Sequence, residues 1–150
     1  MNIKEQLTNQ IKAGKITFDN NSAQLRQQLL QEIAGQLISE KLQKLILFLS
    51  NSIDTQIRVS SIVRSPDIAS NHGKRTAVDI GNEEIANKVL PVLTIPANIL
   101  LYDIDEIIFN AGGPLPSGPN RWNHKNGIPF NYSVDVLNKH SDHIHLSVKS

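Results

Sequence analysis

Apolar residues recur at helical spacing through the first fifty positions. Ile3, Leu7 and Ile11 share one face, and Gly14 marks the end of that helix. A second stripe runs through Leu25, Leu29, Ile33 and Leu37 and continues in Leu42, Leu45 and Leu49. Asn21 or Ser22 is placed to cap it, and Gly35 divides the run into two helices. The stripe reads as a core-facing surface, and no heptad series is long enough for a coiled coil. Ile16 and Phe18 read as a short link between helices.

From residue 56 the pattern changes to period two. QIRVSSIV (56–63) alternates and is rich in β-branched residues, as a half-buried strand should be. TAVDIG (76–81), IDEIIFN (104–110) and DHIHLSV (142–148) read as further strands. Asn82 is placed to cap a helix over EEIANKVLPVL that ends near Pro96, and Glu83 and Glu84 suit its first turn, where the helix dipole favours acids. RSPDIASNHGKR (64–75) and AGGPLPSGPNRWNHKNG (111–127) read as loops; the second is long enough to suggest a functional role. In that loop Trp122 is expected to anchor the chain to the core and His124 to be solvated. The expected class is α+β: one domain over 1–150, with a small, mainly antiparallel sheet, helices packed on one side of it and an N-terminal helical segment.

Composition narrows the chemistry. With 150 residues, 39% hydrophobic and 19% charged, the chain can bury a core, so disorder throughout is not expected. Its net charge of +1, from 15 basic and 14 acidic residues, supplies no basic field for nucleic acid. The absence of cysteine excludes disulfides, a thiol nucleophile and thiolate metal ligands, so any metal is held by nitrogen and oxygen. The start, MNIKEQLTNQIKAGK, lacks the apolar run of a secretory signal, and LQKLILFLS (42–50) is too short to span a bilayer. The expectation is synthesis in the cytoplasm without membrane insertion.

Three of the five histidines fall within HSDHIH (140–145), and His72 lies seven residues before Asp79. Seven residues of straight helix span about 10.5 Å, whereas ligands lie about 2 Å from a shared ion. His72 and Asp79 can therefore meet only through a bend, for which Gly73-Lys74-Arg75 is suited. Asp79, flanked by Val78 and Ile80, needs a strong partner if it points inward; otherwise it is a solvated strand-edge acid. His143 and His145, two apart on a strand, face the same way; the plainer reading is a polar strand terminus. Together these residues offer two imidazoles and a carboxylate to one divalent ion, with a position left for water, as in catalytic rather than structural zinc sites.

These motifs resemble a known family. Ser70-Asn71-His72 followed by Ala77-Val78-Asp79-Ile80 is similar to the S-x-H-x-x-G-x-A-x-D signature of the LAS-type zinc peptidases, which include D-alanyl-D-alanine carboxypeptidases, phage endolysins and penicillin-insensitive murein endopeptidases, and which share their fold with the hedgehog signalling domain. His140-Ser141-Asp142-His143-Ile144-His145 resembles the H-x-D-H-x-H ending of the murein endopeptidase branch, and Val59 to Ser65 resembles the strand that precedes the first motif. The likeness covers 56–150 and leaves 1–50 as a helical support. It departs at Arg75, where the family usually has Gly, at Ile62-Val63, which replaces a Gly-Tyr pair, and in the short gap from Arg64 to His72.

The resemblance implies one zinc ion held by His72, Asp79 and His145. It implies hydrolysis of peptidoglycan stem peptides or cross-links through a metal-activated water. Asp142 stands where the family has its general base, with His143 as the other candidate because strand alternation turns Asp142 away if the strand already includes it. Arg64 is the candidate for binding a substrate carboxylate or the oxyanion, and His140 and Ser70 are candidates for supporting hydrogen bonds. The substrate places the site of action at the cell wall, reached by lysis or by an injection machine. The alternative is a catalytically inactive zinc-binding module of the same fold that recognises a partner or cell-wall peptide.

Overall fold

The computed structural model describes residues 1–62, 75–112 and 118–150. Helix α1 (Ile3–Lys12) opens on a capping box: the Asn2 side chain accepts from the Glu5 amide at 2.8 Å, and Glu5 accepts from the Asn2 amide. Gly14, at φ +77°, ends the turn that follows. Ser22 caps α2 (Ala23–Ala34) by accepting from the Leu25 amide at 3.1 Å, and Ser39 caps α3 (Glu40–Ser52) in the same way. Gly35 closes α2, but the left-handed residue of that break is Gln36 (φ 56°).

Ile16 and Phe18 are not a link. They form strand β1 (Ile16–Phe18), which pairs in parallel with β2 (Ile57–Ser61), Ile16 opposite Ile57 and Phe18 opposite Val59. After β3 (Ala77–Ile80) a 3-10 turn over Glu83–Ile85 leads into α4 (Ala86–Leu93). Asn82 does not cap it. The Asn82 amide group donates to the Gln56 carbonyl, and its side-chain oxygen accepts from the Arg58 amide, so the residue ties this corner to β2. Helix α5 (Pro96–Leu101) and strand β4 (Ile104–Ile108) follow.

The long Gly/Pro segment carries structure: β5 (His124–Lys125) and β6 (Ile128–Pro129) form a hairpin turned by Asn126 and Gly127, both left-handed at φ 55° and 73°. A short α6 (Val134–Asn138) precedes β7 (Ile144–Val148). The strand order is β1-β2-β3-β7-β4-β5-β6, antiparallel except for the first pair. The fold is α+β, as expected.

Alternation sorts β3, β7 and β4 into two faces. Val78, Leu146 and Ile107 lie opposite one another, as do Ile80 and Ile144. These residues join Leu29 and Ile33 of α2 and Leu42, Leu45 and Leu49 of α3 in one buried cluster. The other face carries polar side chains at the same level: Ser61 opposite Asp79, Asp79 opposite His145, and Ser147 opposite both Ala77 and Glu106.

Candidate functional site

Asp79 sits at the centre of the sheet, 1% exposed, on the strand beside His145. The His145 ring is clamped from both sides: Nδ1 lies 3.1 Å from Asp79 Oδ1, and Nε2 lies 3.0 Å from Glu106 Oε1. Burial opposes charge on this ring, but the hydrogen bonds and negative charges of Asp79 and Glu106 outweigh it, and the ring pKa is pushed up to about 9. Two of the expected zinc ligands, Asp79 and His145, therefore lie side by side on adjacent strands.

Regular β7 pairing starts at Ile144, so Asp142 and His143 precede it and escape strand alternation. Asp142 is exposed, and its Oδ1 accepts from His143 Nδ1 at 2.8 Å. That hydrogen bond holds the Asp142 carboxyl below the usual carboxylate range. It also assigns the ring proton of neutral His143 to Nδ1 and leaves the lone pair on Nε2. His143 Nε2 is buried, has no hydrogen-bond partner among the described residues, and lies 3.9 Å from Asp79 Oδ2. The His140 ring lies 4.9 Å from the His143 ring and 5.9 Å from the His145 ring, centre to centre. Its Nδ1 donates to the Val136 carbonyl at 2.7 Å, and burial lowers its pKa.

The buried carboxylate of Asp79 and the His145 ring nitrogen beside it are two donors that suit a nitrogen- and oxygen-ligated cation, and His143 Nε2, unpartnered among the described residues, lies next to them without being needed as a ligand. Among the described residues, no three His, Asp or Glu side chains complete an ion site by themselves. His72, the third expected ligand, lies outside the described residues, as do Arg64 and Ser70.

His124 is not solvated. It is 7% exposed, pairs with Ile107 across β4 and β5, and its Nδ1 donates to the Trp122 carbonyl at 2.8 Å. Trp122 does pack against the core, as expected of an anchor. Two site residues escape sequence reasoning: Glu106, and Ser147, whose hydroxyl donates to Glu106 Oε1 at 3.1 Å. The local signal for Glu106 is weaker than that for Asp79, because Glu106 follows Asp105 instead of standing between two apolar residues.

Among the described residues, no helix is long and apolar enough to cross a membrane. No protein-family model, curated protein or solved structure matches the chain.

Proposed function

We propose that this chain is a zinc-dependent peptidase of the LAS type it resembles, acting on peptidoglycan stem peptides or cross-links. The observation that carries the reading is His143 Nε2: a buried basic nitrogen, unpartnered among the described residues, aimed at the buried carboxylate of Asp79. Asp79 and His145 would hold the ion together with His72. Bound zinc would supply a Lewis acid for the scissile carbonyl and lower the pKa of water at the site.

The chain's own residues supply the proton transfers. His143 Nε2 takes the proton of the attacking water as the C–O bond forms, then gives it to the amine nitrogen as the C–N bond breaks. Asp142 holds Nδ1–H, fixes the tautomer and stabilises the imidazolium between those steps. This favours His143 over Asp142 as the base, because Asp142 is turned to solvent and already committed to His143. Arg64 is retained as the group for a substrate carboxylate. Acting on such a substrate requires access to the wall, by lysis or by an injection machine.

The test is metal content after purification, followed by incubation with purified sacculi and mass spectrometry of the released fragments. Bound zinc, and fragments that vanish with chelator and return with zinc, are expected. His143→Ala should keep zinc and lose about 10²–10⁴ in kcat, while Asp142→Asn should lose less. A chain without zinc ends the proposal. Zinc without fragments makes it a binding module, and retained turnover in His143→Ala moves the base to Asp142.

A further inference from the structure

We propose that Glu106 is the positioning residue for His145, a role that rests on the zinc reading above. Glu106 lies on β4, on the side of β7 opposite Asp79, so His145 is gripped by carboxylates from both neighbouring strands. A neutral imidazole has one N–H to share between two acceptors. If Nδ1 presents its lone pair to an ion shared with Asp79, the proton belongs on Nε2, and Glu106 is the group that receives it. Glu106 is itself held. Its Oε1 accepts from the hydroxyl of fully buried Ser147 at 3.1 Å, and that same hydroxyl accepts from the Glu106 amide at 3.1 Å. The chain Ser147–Glu106–His145–Asp79 thus crosses the polar face of the sheet, where two directed contacts offset the cost of bringing a carboxylate onto it. Glu106 lies on the same polar face as Ser147 and His145, and its reach to His145 follows from the β4–β7 register, in which it stands opposite Ser147.

The experiment measures zinc affinity of the full-length chain by competition with a chromophoric chelator, with the melting temperature of each metal-free variant as a control for folding. Glu106→Gln and Glu106→Met have similar size, but only the amide oxygen can accept Nε2–H. We expect Met to bind zinc about 10–100-fold more weakly and Gln to recover most of that loss at a similar melting temperature. Wild-type affinity in Glu106→Met, or equal weakness in Gln and Met, overturns the role. If Glu106→Met does not fold, Ser147→Ala decides by the same readout, a several-fold loss supporting the role and no change overturning it. Absence of zinc binding by the wild-type chain refutes the zinc reading itself, whereas tight binding that Glu106→Met leaves intact refutes only the positioning role.

Discussion

His145 experiences two opposed effects: burial disfavours its charge, and the flanking carboxylates favour it more strongly. In the metal-free protein the ring pKa rises to about 9, against an unfolded value of about 6.5. Protonation therefore favours the folded state. The contribution is present in full below about pH 6.5 and is lost as pH rises through about 9. Urea midpoints of the metal-free chain should fall across that window, and His145→Gln should flatten the fall; an equal fall in the variant would show that other groups cause it. Asp79 and the histidine cluster are visible in the sequence, because an acid between Val78 and Ile80 and three histidines within HSDHIH are local patterns, although His143 lies before β7 and the strand spacing expected to align it with His145 does not apply. Glu106 and the burial of His124 are not, because each depends on which strand lies alongside: β7 for Glu106 and β4 for His124.

The elements with strong periodicity and caps follow from the sequence: α1, α2 and α3, and the cores of β2, β3, β4 and β7. Strand β1 does not, since three residues cannot display alternation and its partner residues lie 41 positions further along the chain. The β5–β6 hairpin had a readable signal in Asn126-Gly127, obscured by the surrounding glycines and prolines. Arg75 is a sharper case. It sits at φ 61°, the left-handed region, where the resembled signature has glycine. The site's approach to β3 is nonetheless fixed there. Arg75 Nε lies 2.8 Å from Glu32 Oε1 on α2, with Glu32 buried, and the Arg75 carbonyl accepts from the Ser39 amide before α3. The ion pair offsets the backbone cost of a non-glycine residue, which is about 1–2 kcal/mol. Arg75→Ala keeps that cost and leaves Glu32 without this partner, whereas Arg75→Gly removes the cost. Chemical denaturation should show both variants destabilised, with Gly less so by about 1 kcal/mol. Equal losses would mean that the backbone angle carries no penalty here.

The histidine and carboxylate face of the sheet can be polar because the opposite face is covered. Leu146 and Ile144 flank His145 along β7, and their side chains lie in the same buried cluster as Leu42, Leu45 and Leu49 of α3 and Leu7 and Ile11 of α1. The first fifty residues are thus more than an appended support. They supply the cover of the central strands, the β1 edge of the sheet and, through Glu32, the partner of Arg75. Each buried Leu or Ile side chain contributes about 1.5–3 kcal/mol, and a domain's whole net stability is only about 5–15 kcal/mol. Removing α1 to α3 uncovers several such side chains on Val78, Leu146 and Ile107 together, more than the remaining chain can offset. A chain comprising 53–150 should therefore show no cooperative thermal transition and no dispersed amide spectrum, with or without zinc, while the full chain shows both. A cooperative transition in the shorter chain would instead make the sheet and its site a self-sufficient unit, and would place the N-terminal helices outside the structure that positions Asp79 against His145.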